Sequence, residues 1–352
     1  MKIFYLMILL FLIIILYSCE QNKNSLGPSI SNDFKILYNS DGDIFIMDSN
    51  GSNKKNLTFD IVGSNFLSNS IGDVSSDGQK IVFNQSVTDT VNWETKYTTY
   101  IMDITGKNKK SLSNTSLRPL HPKFSPNGLY IVFNATENVD DIYIINSDGS
   151  NARNLTNDSD RDWFPQFSPD GLKIIYRSEK DNNMDIYSIN FDGTNKTNLT
   201  HDGKLWGAYF CISSDGSKVV YTSCKDGQSN IYIMNIDGTN QIKITNSVGN
   251  ENPTFSYDNS KIAYISWSIS GYDIKIIDID DQNEKIIAST KRPRSDYWRP
   301  IALFSPDDEN VFFTNYNGNN TEIYLVDIYS KNLKNLTNSP NEDYLGIVVV
   351  VN

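Results

Sequence analysis

The sequence predicts an all-β fold: a seven-bladed β-propeller of four-stranded antiparallel blades, in which the C-terminal strand joins blade 1 and closes the ring. A turn phrase recurs six times along the 352 residues, about every 43 to 50 residues. A strand phrase recurs seven times in step with it. Self-similarity at this period, with four strands in each unit, is typical of propeller blades.

The turn phrase is predicted to join the first and second strands of a unit. Its copies are FSPDG at 167–171, FSPNG at 124–128, ISSDG at 212–216, VSSDG at 74–78, FSYDN at 255–259 and FSPDD at 304–308. In the first of these, Pro169 presets the first corner of the turn and Asp170 suits the second. Gly171 then takes the left-handed conformation that closes a hairpin. The copies at 255–259 and 304–308 depart from this pattern because they lack the glycine.

The segment 164–200 contains all four predicted strands: 164–168, KIIY, DIYSIN and KTNLT. The alternation of side chains in the middle strands favours a sheet that packs against a neighbour on each face. Copies of the third-strand phrase are DIFIMD from 43, TYIMD from 99, DIYIIN from 141, DIYSIN from 185, NIYIMN from 230, DIKIID from 273 and EIYLVD from 322.

The two ends of the repeat indicate how the ring closes. The first unit begins with a second strand, KILYN at 35–39, and the chain ends with an unpaired strand, YLGIVVVV at 344–351. If the last strand completes the first blade, every blade is flanked on both sides and no end face is bare. The alternative is a ring of six closed blades with a divergent terminal strand pair.

The repeat PQFSPDGLKIIY, continued by DIYSIN, DGTN and LT, resembles the TolB-type, WD40-like propeller repeat of bacterial envelope proteins. The resemblance covers about 34–352. It implies a binding module that engages protein or peptide partners in the cell envelope, in the periplasm or at the cell surface.

The N-terminus predicts export. An apolar run of 14 residues follows Met1-Lys2 and is shorter than the roughly 20 residues that a membrane span needs. Leu16–Cys19 resembles a bacterial lipoprotein signal, which implies a lipid anchor on Cys19. A plain secretory signal with an incidental cysteine is the alternative. The predicted organisation is a signal peptide at 1–18, a flexible tether at 19–33 and the propeller at 34–352.

Composition and motifs argue against several functions. The formal net charge is −11 and no basic cluster is present, so we do not expect nucleic-acid binding. The chain has no G-x-S-x-G motif, and two histidines, His121 and His201, are too few for the metal set of the propeller lyases that this repeat resembles. We therefore predict no catalytic residue, no metal, no cofactor and a monomer. A divergent glycan-cleaving enzyme remains an alternative.

The tryptophans predict a binding face. Connections between blades and loops between second and third strands lie at one end of a propeller, and all five tryptophans map to that end: Trp93, Trp163, Trp206, Trp267 and Trp298. The polar and cationic residues expected there are Arg118, His121, Arg161, Asp162, Tyr297 and Arg299. Tryptophan beside arginine suits stacking on sugars or gripping a peptide. The alternative is that the rings only pack the inner strand ends.

The Asn-Leu-Thr triplets and the two later cysteines both have structural interpretations. Four Asn-Leu-Thr triplets, at 56, 154, 198 and 335, match a glycosylation pattern but coincide with fourth strands, so we interpret them as part of the repeat. Cys224 is offset by four or five residues from the predicted cross-strand partner of Cys211. That offset places the two Cα atoms further apart than a disulfide allows, so the sequence predicts two buried free thiols.

Overall fold

The computed structural model describes residues 34–59, 66–89, 91–112, 118–203, 205–291 and 300–351. These residues form strands and turns and contain no helix. The strands make seven antiparallel sheets of four strands each. The predicted fold class is therefore confirmed, and the six-bladed alternative is wrong. Within the described ranges, nothing helical is long and apolar enough to cross a bilayer.

In each blade the first strand lies innermost and the fourth strand lies outermost; the fourth strand has two or three residues except in blade 6, where it has eight. Blades 1 to 4 consist of β28 (Asp343–Val350), β1 (Phe34–Ser40), β2 (Asp43–Asp48) and β3 (Lys55–Asn56); β4 (Phe66–Val74), β5 (Lys80–Thr88), β6 (Thr95–Asp103) and β7 (Lys110–Ser111); β8 (Arg118–Phe124), β9 (Tyr130–Thr136), β10 (Asp140–Asn146) and β11 (Arg153–Asn154); β12 (Arg161–Phe167), β13 (Lys173–Lys180), β14 (Asn183–Asn190) and β15 (Thr197–Asn198).

Blades 5 to 7 follow the same order. They consist of β16 (Leu205–Ile212), β17 (Lys218–Ser223), β18 (Asn230–Asn235) and β19 (Ile242–Lys243); β20 (Asn250–Phe255), β21 (Lys261–Ser268), β22 (Gly271–Asp278) and β23 (Glu284–Lys291); β24 (Ala302–Phe304), β25 (Asn310–Tyr316), β26 (Thr321–Asp327) and β27 (Leu333–Asn335).

Strand β28 closes the ring by pairing with β1. Phe34 lies opposite Val350 and Ile36 opposite Val348, in antiparallel register. Leu345 on β28 is fully buried between blades 7 and 1. Glycine is favoured at position 346 by the backbone of the paired strand, since a Cβ there would lie 2.9 Å from the Leu37 carbonyl oxygen. The C-terminal strand thus completes blade 1, as the sequence predicts.

The recurrent turn phrase is explained by one hydroxyl and one carboxylate. Ser168 Oγ donates to Asp170 Oδ1 over 2.6 Å and accepts from the Lys173 amide over 2.9 Å. Gly171 has a φ of +72° and donates its amide to the Ser168 carbonyl over 2.8 Å. The two copies without glycine keep this turn, because Asn259 and Asp308 take the left-handed conformation with φ of +61° and +59°.

The core lies between blades rather than in one central layer. Between blades 3 and 4, for example, Ile142 and Leu155 pack against Ile174 and Tyr176 of the next sheet. Burying each such aliphatic side chain contributes about 1.5–3 kcal/mol to folding. A single blade has no partner for these faces, so the closed ring is what stabilises each sheet.

The Asn-Leu-Thr triplet fixes the start of the third strand. Asn154 Nδ2 donates to one oxygen of Asp141 over 2.8 Å, and Thr156 Oγ1 donates to the other over 2.9 Å. The Thr156 hydroxyl also accepts from the Ile142 amide over 3.1 Å. The same arrangement recurs around Asp43 and Asp185, and around Glu322 the threonine part of it recurs. These triplets therefore have a structural role in the blade.

The cysteine prediction is partly wrong. Cys211 lies opposite Val220, and Cys224 is a free thiol, so the predicted absence of a bond between Cys211 and Cys224 is confirmed. Cys224 is only half-buried, however, because it follows the end of β17 at the sheet margin. Cys211 is fully buried but is disulfide-bonded rather than free, and its partner lies outside the described residues.

Candidate functional site

We define the mouth face as the end of the propeller that carries the loops between second and third strands and the connections between blades. Because successive strands are antiparallel, the starts of first strands and the ends of second strands lie at this end. Trp93 lies in the β5–β6 loop, as expected. Trp163, Trp206 and Trp267 lie within β12, β16 and β21 rather than in loops, because these strands extend further toward the mouth than the sequence indicates.

For some predicted site residues the structure gives only the position in a strand, and others lie outside the described residues. Arg118 begins β8, at the mouth end of blade 3. Tyr297, Trp298 and Arg299 fall outside the described residues, as do Cys19 and the segments predicted as a signal peptide and a tether.

Trp163 is half-buried and held on two sides. Its Nε1 donates to Asp140 Oδ2 of the preceding blade over 3.0 Å. On the neighbouring strand, the Arg177 guanidinium carbon lies 5.3 Å from the centroid of the indole. Burial lowers the pKa of Arg177 to about 10, so the side chain stays cationic at neutral pH. Trp163 is thus a fixed aromatic surface rather than a mobile loop residue.

His121 does not provide an exposed polar or cationic group. Its side chain is 7% exposed, and Nδ1 lies 2.6 Å from Asn134 Oδ1. The ring packs on Phe164 of blade 4, with centroids 4.2 Å apart. Burial lowers the pKa of His121 to about 4, which leaves the imidazole neutral near pH 7. His121 therefore joins two first strands, and its predicted place among ligand-facing residues is wrong.

Arg161 and Asp162 point in opposite directions because side chains alternate along β12. Arg161 is exposed. Asp162 is fully buried and faces blade 3, opposite Ser178 in the register of blade 4. Burial raises the pKa of Asp162 to about 6, although the Lys196 ammonium favours the ionised form. Of this predicted pair, only Arg161 can meet a ligand from solvent.

Trp267 packs at the end of blade 6. Its ring lies 4.2 Å from that of Tyr272, edge to face. Gly249 approaches it so closely that a Cβ there would lie 3.0 Å from Trp267 Cβ, and the φ of +78° at Gly249 favours glycine as well. The packing alternative therefore describes Trp267 better than a free binding residue.

The side chain of Tyr209, which sequence reasoning missed, reaches across the central channel. Tyr209 of blade 5 packs against the apolar cluster of blades 7 and 1, which includes Ile301, Leu303 and Leu345. Blade 5 is adjacent to neither, so the contact crosses the channel. Tyr209, like His121 and Phe164, lies three residues before the turn phrase of its blade. An aromatic residue at that position is the sequence signal for this contact.

Sequence reasoning also missed the exposed aliphatic residues of the mouth face. Val91 is 87% exposed two residues before Trp93, which is itself 51% exposed. Other large apolar side chains exposed at this face are Phe59, Val248 and Ile269. The signal was an isolated apolar residue in a polar loop, as in TDTVNWETK at 88–96. The mouth face therefore carries a rim of exposed apolar side chains.

Residues 90–210 match the family model described as the TolB beta propeller domain. The chain contains a TolB-like β-propeller. This confirms the resemblance that the repeat indicates, and the match includes blade 3, blade 4 and the loop that carries Trp93. No curated protein sequence matches the chain significantly.

Solved structures show the same fold at low identity. TolB from Acinetobacter baumannii is 18% identical, with 79% of this chain and 81% of that chain covered and a TM-score of 0.52. An oligogalacturonate lyase from Vibrio parahaemolyticus is 15% identical, with coverages of 68% and 73% and a TM-score of 0.57. A puromycin-hydrolyzing peptidase from Mycobacterium tuberculosis is 11% identical, with coverages of 82% and 50% and a TM-score of 0.59. A fold shared by such different proteins assigns no activity.

Proposed function

We propose that the protein is a binding module of the bacterial cell envelope and that it engages a protein or peptide partner through the rim of the mouth face. The observation that carries this proposal is the exposure of Val91 and Trp93 at the tip of one loop. Exposed aromatic side chains are enriched at the centres of protein interfaces.

The loop that carries them is ordered by its own hydrogen bonds. The Trp93 amide donates to the Asp89 carbonyl over 2.8 Å, and the Val91 amide donates to Asp89 Oδ1 over 2.7 Å. The Glu94 amide donates to Asn92 Oδ1 over 3.0 Å. A loop that is already ordered loses less conformational entropy when a partner binds, which favours affinity.

The test uses a matched pair of exposed apolar residues at opposite ends of the propeller. Leu172 is 68% exposed in the β12–β13 turn, away from the mouth. A partner is captured by cross-linking in native envelopes, identified by mass spectrometry, purified, and titrated against each variant. We expect Val91→Ser with Trp93→Ala to weaken binding at least tenfold and Leu172→Ser to leave it unchanged. Equal affinities for both variants would refute the role of the rim.

A second candidate is a glycan ligand, with or without cleavage. The half-buried face of Trp163, flanked by the exposed Arg161 and the Arg177 guanidinium, favours it, since aromatic faces stack on sugars. Here Trp163→Ala would abolish binding on a glycan array while the Val91 and Trp93 variant retains it. Turnover of oligogalacturonate that a chelator inhibits would identify an enzyme instead. If the protein shows no glycan binding and no turnover in these assays, the glycan candidate is eliminated.

We further propose that the propeller is held at a membrane by a lipid on Cys19. A thioether at Cys19 excludes a disulfide from the same sulfur, so in the lipidated protein it would take the place of the bond that Cys211 forms in this structure. The support is the resemblance of Leu16–Cys19 to a lipoprotein signal. Mass spectrometry of the mature N-terminal peptide should show a diacylglyceryl thioether on Cys19, and Cys19→Ser should release the protein from membranes. An unmodified Cys19 thiol, or a disulfide between Cys19 and Cys211 in place of the thioether, contradicts the anchor.

A further inference from the structure

We propose that the junction of blades 3 and 4 binds a hard divalent cation such as Ca²⁺ through the carboxylates of Asp141, Asp158 and Asp162. One oxygen from each of these residues lies within 4.8 Å of those from the other two. Asp141 is the second residue of β10, the third strand of blade 3, Asp158 lies in the connection between the blades, and Asp162 lies in the first strand of blade 4. The proposal is independent of the partner that binds the rim.

Unpartnered buried polar groups at the same place point to a missing ligand. Asp162 is fully buried, and neither of its carboxylate oxygens accepts a hydrogen bond within the described part of the chain. The Ser178 and Tyr176 hydroxyls of the neighbouring strand are also buried without a partner there. Ser178 is the cross-strand neighbour of Asp162, and Tyr176 follows on the same side of the sheet, toward blade 3. Buried polar groups are rarely left in this state.

The junction of blades 1 and 2 shows what the repeat does when no cation is needed. There Asn69 lies at the position of Asp162, and its Nδ2 donates to Asp43 Oδ1 and to Thr58 Oγ1, each over 3.3 Å. An amide beside a carboxylate forms a hydrogen bond without any added charge. Aspartate in place of this asparagine sets two carboxylates against each other, and such a pair needs a proton or a cation.

One lysine is present but does not neutralise the cluster. Lys196 Nζ lies 2.6 Å from Asp158 Oδ2 and 3.3 Å from Asp160 Oδ2, but 3.8 Å from Asp162 Oδ2. Its closest contacts are thus with the two connection residues. With Asp141 counted, four carboxylates face one ammonium, which leaves an excess negative charge at the buried end. A divalent ion between Asp141 and Asp162 would compensate this negative charge, while Lys196 keeps its ion pair with Asp160.

The donor set defines the class of cation. Carboxylate and hydroxyl oxygens suit Ca²⁺, which accepts six to eight oxygen ligands at about 2.3–2.6 Å, and waters can complete the set where Asp158 is exposed. No thiol or imidazole belongs to the cluster. In the sequence the signal is the run Asp158-Ser159-Asp160-Arg161-Asp162, which spaces carboxylates two residues apart. Asp162 directly precedes Trp163, so a bound ion would also stiffen the mouth face.

The experiment titrates the purified full-length chain in detergent, after chelator treatment, with CaCl₂ or MnCl₂ by calorimetry, and records the melting temperature with and without the ion. We expect one saturable site and a higher melting temperature in the ion. Asp158→Asn, at an exposed position that leaves folding intact, should weaken binding at least tenfold. Asp162→Asn, which copies the arrangement of blades 1 and 2, should abolish binding without lowering the melting temperature of the ion-free protein.

Asp148→Asn is the control, because Asp148 is a turn carboxylate whose bonds are to Ser150 of the same turn; it should bind as the wild type does. The proposal is overturned if millimolar Ca²⁺ and Mn²⁺ give no saturable binding, or if Asp158→Asn and Asp162→Asn bind as tightly as the wild type. Stabilisation by acid alone, with no effect of either ion, would likewise overturn it and assign a shared proton to Asp141 and Asp162.

Discussion

The indole of Trp163 donates from Nε1 to the Asp140 carboxylate of the preceding blade, over 3.0 Å. This bond links the first strand of blade 4 to the third strand of blade 3 at the mouth. A hydrogen bond to a charged group contributes about 1.5–3 kcal/mol. We expect Asp140→Ala to lower the free energy of unfolding by that order and to shift the tryptophan emission. In a double-mutant cycle with Trp163→Phe, which keeps a ring but not the donor, a coupling energy near zero would contradict this assignment.

Asp162 should make stability depend on pH. Its pKa is raised by burial to about 6, against 3.8 for an unperturbed aspartate, so the folded chain holds a proton that the unfolded chain releases between these values. Stability therefore falls as the pH rises through about 4 to 6. The difference between the two pKa values corresponds to about 3 kcal/mol.

The measurement compares chelator-treated wild type with Asp162→Asn by denaturant unfolding from pH 4 to pH 7. We expect the variant to be the more stable protein at pH 7 and the difference to vanish near pH 4. Taking the difference removes the opposite contribution of His121, whose lowered pKa of about 4 makes folding less favourable as the pH falls. Parallel curves for the two proteins would show that Asp162 is not the titrating group.

Loss of β28 should open the ring. Deleting residues 343–352 removes the strand that pairs with β1 and exposes Leu37 and Ile71, which are buried between blades 1 and 2. The milder change Leu345→Ala should by itself lower the free energy of unfolding by about 2–5 kcal/mol. Thermal melting followed by circular dichroism tests both, with the exposed Leu172→Ser as the control that melts normally. A truncated chain with the wild-type melting temperature would show that closure contributes nothing.

Removing one charge of the buried pair Asp73 and Lys123 should lower the free energy of unfolding more than removing both charges. Lys123 Nζ lies 3.6 Å from Asp73 Oδ1, and both side chains are almost completely buried between blades 2 and 3. Lys123→Met leaves the Asp73 charge uncompensated, which should lower the free energy of unfolding by about 3–5 kcal/mol.

Adding Asp73→Asn should restore most of that loss, because the amide carries no charge and its oxygen can still accept from the Phe124 amide, now 3.0 Å from Asp73 Oδ2. Urea unfolding of the single and double variants measures this. Additive losses would mean that the two charges do not interact.

The repeats in the chain are enough to predict the blades, their number and the closure by the last strand. Ser168, Asp170 and Gly171 act within one hairpin, and the triplet at Asn154 acts within one blade, so their spacing in the chain is the spacing that matters. Six copies of the turn phrase and four copies of the triplet made those short-range rules visible.

The folded arrangement of the blades determines which side chains meet solvent. His121, Asp162 and Trp267 share the mouth end with Trp93, yet the first three are buried or packed and the last is exposed. For His121 and Asp162 the difference comes from the neighbouring blade, which supplies Phe164 to His121 and the Asp141 carboxylate to the surroundings of Asp162. Trp267 packs on Tyr272 of its own blade. Burial and its effect on pKa depend on those contacts across blades, and no spacing within a single repeat specifies them.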